Sequence, residues 1–404
     1  MSDAARSSRT VGQRLAEARK ARAITQEDAA ATIGVSRPTF IAIEKGDRPA
    51  KPTELVQLAS LYGQPVSHFV RSVPQLPDLQ PHFRAPLDKL RPEDVAPVQQ
   101  AIFEFKRFLE NYLDLELRLK SPLRRNDSAP VILHPRINPV ELAEDVALRE
   151  RQRLGLGDHP LPDLRRLLES EVGVRIFLAK LPTQIAGLYL FLEDLGGCLL
   201  INSRHPPEQQ RASIAHEYAH LIVDRHTAGI DSLAPPARKP LNERFAESFA
   251  MSFLMPAASV RFRFHETVNA TGNFQVADLV KLKHFYGVSL EAMTLRLESL
   301  GLLKSGTWDL LKEKRIPVRQ AEKRLGLASD HPAEPPYPER YKFLAVQAYE
   351  RGDLSEKELA NYLGCDIWEA RRVVQESLVN AEVDAAGETL AIEADFNTPL
   401  LSNS

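Results

Sequence analysis

The string His216-Glu217-Tyr218-Ala219-His220 constrains this 404-residue chain more than any other part of it. Two histidines four residues apart share a face on a helix, one turn apart, and there both rings can hold a single ion. Residues 207–224 read as one continuous helix, with Ile214, Ala215, Ala219, Leu221 and Ile222 turned toward a core. Glu217 is offset by one residue, close enough to take a proton from water at the metal without being a ligand. Zinc bound by two imidazoles and one carboxylate keeps a fourth position open. The next helical stretch, residues 241–254, offers Glu243 and Glu247, again four apart on one face. Glu243 is the favoured ligand and Glu247 the favoured hydrogen-bond partner of a ligand histidine, although the spacing alone permits the swap. The cofactor expected is one Zn2+ per chain, in a site that also accepts Mn2+ or another divalent ion. The chemistry implied is peptide-bond hydrolysis with Glu217 as general base. Tyr189, Asn202 and His226 are the candidates for stabilising the oxyanion.

The flanking pattern is mixed. Residues 139–153, 161–171, 276–286 and 290–300 carry helical periodicity, and residues 174–178 read as a short buried strand. Residues 186–192 and 198–202 flank a Glu-Asp-Leu-Gly-Gly turn, the signature of a hairpin. The strand Leu188–Leu192 is a candidate edge on which an extended substrate segment could add.

At the other end of the chain, residues 10–72 read as a compact all-helical module. Thr25 with Asp28 approximates a capping box before Ala29-Ala30-Ala31. Gly34 supplies a left-handed turn, and Ser36 caps a helix running from Arg37 to Glu44 that offers Phe40, Ile41 and Ile43 for burial. Helix, glycine turn, capped helix is the order of a helix-turn-helix, whose second helix enters the major groove. Residues 1–72 hold 11 Lys/Arg against 7 Asp/Glu, although the whole chain is at −2. That basic excess suits contact with nucleic acid.

Prolines recur through residues 73–97, which read as an extended linker. Val98 to Lys120 then lacks proline and glycine and places Ile102, Phe105, Leu109, Tyr112 and Leu113 at helical spacing. Such a helix serves either as packing for the next domain or as the rod of a homodimer. A last helical unit is expected over 339–380, where Ser355 caps one helix and Gly364 separates it from another. The tail beyond Glu382 lacks periodicity. The fold class expected is mainly α with a small β-sheet (α+β), with metallopeptidase residues over 98–304.

The segments Ile24-Thr25-Gln26-Glu27-Asp28-Ala29-Ala30, Ile33-Gly34-Val35-Ser36-Arg37-Pro38-Thr39 and Ile43-Glu44-Lys45-Gly46-Asp47-Arg48-Pro49 resemble the Cro/C1-type (XRE) repressor family. The resemblance implies a DNA operator as partner. Gln26, Arg37 and Thr39, with Ser36 at the helix start, would reach phosphates or base edges, and Lys45 and Arg48 would contact backbone phosphate. Residues 201–220, with Glu243-Arg244-Phe245-Ala246-Glu247-Ser248-Phe249-Ala250-Met251-Ser252-Phe253-Leu254-Met255-Pro256, are similar to the ImmA/IrrE metallopeptidase family. That second resemblance implies a minimal gluzincin-like domain acting on a repressor protein in stress responses or mobile elements. Glu247 departs from its pattern, which has Asn or Asp there more often.

Cys198 and Cys365 are far apart in apolar surroundings, the start of the chain is polar, and no apolar run is long enough to span a bilayer. A cytoplasmic regulator with no membrane partner is therefore expected. Two functions follow: a DNA-binding regulator with a zinc-dependent endopeptidase that cleaves a repressor, or a non-proteolytic regulator whose zinc domain senses a ligand.

Overall fold

The computed structural model describes residues 3–22, 24–64, 66–70, 76, 79, 83, 86–193, 195–226, 228–232, 240–327 and 334–379. The helix-turn-helix module consists of α1 (Asp3–Ala21), α2 (Gln26–Thr32), α3 (Arg37–Lys45), α4 (Pro52–Tyr62) and α5 (Val66–Val70). Its local signals act as expected. The Thr25 hydroxyl accepts from Asp28 N at 3.1 Å, Ser36 Oγ accepts from Thr39 N at 3.4 Å, and Gly34 sits at φ 67°. Leu15, Ala18, Phe40, Ile43, Leu58 and Tyr62 form the core. A buried ion pair, Arg19 Nε to Glu44 Oε1 at 2.7 Å, ties α1 to the end of α3.

The next helix corrects the expected linker. α6 spans Pro92–Arg118, so it takes in the last residues of the proline-rich stretch. Pro92 opens the helix, where a missing N–H costs nothing, and Pro97 lies inside it. Leu76, Leu79, Phe83 and Leu87 before it are buried. α6 is covered on several sides. Phe103 joins the helix-turn-helix core, and Lys106 Nζ meets Glu17 Oε2 at 2.6 Å. Elsewhere on the helix, Phe105, Phe108 and Tyr112 pack around Phe177, with ring centroids 5.9, 5.4 and 6.4 Å away. Most of its apolar positions are buried within the chain, whereas Leu117 is exposed.

The sheet has the order β1-β3-β2-β4, from β1 (Arg175–Ala179), β2 (Ile185–Leu192), β3 (Gly196–Asn202) and β4 (Gly229–Ser232). β1 runs parallel to β3, while β2 is antiparallel to both β3 and β4. Within the expected edge Leu188–Leu192, β4 pairs with Leu188 and Tyr189, while Leu190–Leu192 pair only with β3 among the described residues. Gly-Ile-Asp-Ser carries no strand signal of its own; it pairs because α9 (Pro207–Val223) returns the chain to the sheet.

Before the sheet lie α7 (Pro139–Arg153) and α8 (Leu164–Leu167), the latter continuing as a π-helical turn over Leu168–Val172. After it come α10 (Leu241–Leu254), α11 (Ala257–Thr271), α12 (Val276–Tyr286), α13 (Leu290–Ser299), α14 (Thr307–Glu313) and α15 (Val318–Arg324). The sequence reading missed β4, α11, α14 and α15. Every residue of α9 from Ser213 to Ile222 is buried, as suits a helix enclosed on all sides. The result is an α+β fold in which α9 is central.

Contacts set apart a second unit, residues 115–121 with 340–404. Its described helices are α16 (Glu339–Glu350), α17 (Glu356–Leu363) and α18 (Ile367–Val379). Ser355 and Glu358 form a capping box, and Gly364 at φ 66° ends α17. Residue 380 and the aperiodic tail lie outside the described residues. Among the described residues no helix is long and apolar enough to cross a membrane.

Candidate metal centre and nucleic-acid face

α9 is held in place by groups on three elements. Tyr218 donates its hydroxyl proton to the Glu150 carboxylate of α7, which also pairs with Arg153. Phe245, Phe249 and Phe253 recur every four residues on α10 and stack in a row at 6.0 and 5.3 Å. Tyr218 of α9 packs on the last two at 6.1 Å each. This ladder fixes α10 beside α9 and brings the first turn of α10, with Glu243, over the two histidines. On the sheet side, Tyr189 stacks flat on His220, 4.7 Å between centroids and 2° between planes.

His216, His220 and Glu243 converge. Nε2 of His216 and Nε2 of His220 are 3.1 Å apart, and the Glu243 oxygens lie 3.4 Å from the first and 3.6 Å from the second. Donors on one tetrahedral zinc, with bonds of ~2.0–2.1 Å, stand about 3.3 Å from one another. Donor types and spacing therefore fit a zinc-like ion. Charge fits as well. Burial opposes protonation of His220, yet hydrogen bonds with Asp224 and Glu243 outweigh it and push the imidazole up to about 10. Burial would raise Glu243, but the two imidazoles hold its carboxyl below the usual range. The point of convergence calls for positive charge.

Glu217 is fully buried, and neither carboxylate oxygen has a hydrogen-bond partner. Burial first, then the neighbouring Asp231, drives its carboxyl well above the ordinary value. β2 comes close because residue 187 is glycine: a Cβ there would lie 2.8 Å from Glu217 Oε1.

For His220 the carboxylate partner is one that the sequence reading did not name. Glu247 is exposed on α10, and the carboxylate that meets His220 Nδ1, at 3.2 Å, is Asp224. Asn242 donates to Asp224 at 2.9 Å. Asp224 is four residues after His220, so helical spacing could have revealed it. Asp231, 4.0 Å from His216 Nε2, could not be found that way, since β4 alone brings it there. Among the oxyanion candidates, the Asn202 side chain is committed to Leu181 N, Arg204 N and the carbonyls of Pro182 and Ile185. The His226 side chain is 79% exposed near Glu193, whereas Tyr189 lies against His220.

In the amino-terminal module, Arg37 and Lys45 on α3 are exposed, and no described carboxylate pairs with either. Ser36 and Thr39 share a hydroxyl contact of 2.8 Å at the start of α3, and Gln26 Nε2 donates to Glu44 at 2.8 Å. Arg48 is engaged bidentately by Glu54, at 2.7 and 3.0 Å, so a phosphate there would compete with a carboxylate.

A model of the IrrE N-terminal-like domain, the Peptidase_M78 family, matches residues 169–298. The chain carries an IrrE N-terminal-like domain. A helix-turn-helix domain model matches residues 10–69, ahead of it. No curated protein matches. The crystal structure of ComR from Streptococcus suis aligns over 93% of this chain and 89% of that one at 10% identity, with a TM-score of 0.15. The IrrE N-terminal-like match takes in β1 to β4, the metal-type cluster and α10, and places this part of the chain in a metallopeptidase-type family.

Proposed function

We propose that this chain is a DNA-binding transcriptional regulator whose IrrE N-terminal-like domain is a zinc-dependent endopeptidase acting on a repressor-like protein. The observation that carries the reading is Glu217, buried with both oxygens unpartnered beside three convergent metal-type donors. A buried carboxyl without partners costs stability, which makes sense where it has a proton to move. His216, His220 and Glu243 would hold the zinc ion, with Asp224 orienting the His220 ring. Zinc bound there supplies Lewis acidity toward a carbonyl oxygen. Glu217 takes a proton from the attacking water and returns it to the departing amine. Tyr189, against His220, is the remaining sequence candidate for the oxyanion donor.

Arg37 and Lys45 would contact the operator, with Thr39, Ser36 and Gln26 at the same helix entrance. Attachment to DNA raises the effective concentration of the peptidase near DNA-bound repressors, which suits a stress or mobile-element response.

A second reading, a ligand-sensing regulator that cleaves nothing, is favoured by α6, which packs on both the helix-turn-helix core and the sheet. Glu217→Gln separates the two. Under the peptidase reading the variant keeps its zinc, shown by elemental analysis, and loses cleavage of co-expressed candidate repressors by roughly 10²–10⁴-fold. Under the sensor reading no cleavage occurs in either protein, and promoter occupancy keeps its response.

A further inference from the structure

Asp231 has no place in the mechanism above. It lies on β4, opposite Gly187 of β2. In an antiparallel pair, opposite residues share a face, and so do residues two apart. Asp231 therefore lies on the side of the sheet where Gly187 borders Glu217 and Tyr189 covers His220. Its Oδ1 is 4.0 Å from His216 Nε2, and its side chain is only 19% exposed. Among the described residues no Lys or Arg pairs with it. Glu217, Glu243 and Asp231 thus set three carboxylates around two imidazoles, and Glu217, unpartnered and fully buried, faces the same space. Carboxylates crowded this closely repel one another, and a cation among them relieves that repulsion.

We propose that Asp231 is the second carboxylate of the cation site, joining His216, His220 and Glu243 in a set of two imidazoles and two carboxylates. It stands outside the tight trio of donors, so it closes on ions that take longer bonds and more ligands. Oxygen-rich sets suit the harder divalent ions. Asp231 consequently contributes more to Mn2+ than to Zn2+, and it sets which metal the site prefers.

The inference rests on the reading of His216, His220 and Glu243 as ligands, and the test separates the two. Metal-stripped full-length protein is titrated calorimetrically with Zn2+ and with Mn2+, as wild type, Asp231→Asn, Asp231→Glu and His216→Ala. Circular dichroism of each confirms the fold. Asp231→Asn should weaken Mn2+ binding at least tenfold and Zn2+ binding by a smaller factor, while Asp231→Glu stays within threefold of wild type. Wild-type Mn2+ affinity in Asp231→Asn, or equal losses in Asp231→Asn and Asp231→Glu, would overturn the role of Asp231 alone. Wild-type affinity for both ions in His216→Ala would overturn the metal centre and this inference with it.

Discussion

Gly187→Ala tests the placement of Glu217 without touching any proposed ligand. The added Cβ would stand 2.8 Å from Glu217 Oε1, 3.1 Å from Ile201 Cδ1 and 3.2 Å from the Leu200 carbonyl oxygen. Taking ~3.5 Å as the onset of ordinary contact, the carboxylate must withdraw by roughly 0.7 Å. β2 cannot move away easily, because it is paired on both sides. The tightest contact is the far end of a side chain, so the fold can relieve it by moving that end. The stability cost should then fall toward the low end of ~1–3 kcal/mol for overpacking. The catalytic cost should be larger, since a displacement near 1 Å costs on the order of 10²-fold. The expected result is 10- to 100-fold slower repressor cleavage, zinc affinity within about threefold of wild type, and a small drop in denaturant midpoint. Wild-type cleavage by Gly187→Ala would show that Glu217 does not work from its place against β2, and the mechanism would need another base.

Three further outcomes are expected. Asp224→Asn removes the carboxylate on His220 Nδ1 and should weaken zinc binding by about 10–100-fold in a chelator competition; unchanged affinity would take Asp224 out of the site. Arg37→Ala and Lys45→Ala should each weaken operator binding and lower the salt slope by about 0.9, while Arg48→Ala, already paired with Glu54, should change that slope less and cost up to about 1 kcal/mol of stability. Burial pushes the Glu169 carboxyl up to about 8, against the pull of Arg165. The folded state therefore holds its proton more tightly than the unfolded one, and stability contributed by the protonated form is lost as pH rises from about 4.5 to about 8. Glu169→Gln should flatten that part of a stability-versus-pH curve; an unchanged slope would assign the pH dependence to other groups.

Much of this protein is local. Two histidines at helical spacing, a capped helix after Gly34, and the bounds of Leu241–Leu254 and Val276–Tyr286 follow from propensity, capping and 3.6-residue periodicity, which act within a few residues of chain. The residues of the metal-type cluster were legible for the same reason, since His216 and His220 are one turn apart and Glu243 opens the next strongly patterned helix. What needed tertiary structure was whatever depends on distant partners. Gly229–Ser232 became a strand only because β2 was there to pair with. That pairing covered the first half of β2, Ile185–Tyr189, and set Asp231 beside His216. Asp224 is near a ligand in sequence, but the direction of His220 Nδ1 decided that the two meet. That Arg48, an expected phosphate contact, is also held by Glu54 of α4 could be seen only in the folded module. Local sequence fixes which residues can share a helix face, whereas side-chain partners, strand order and the burial of Glu217 emerge only when elements far apart in the chain pack together.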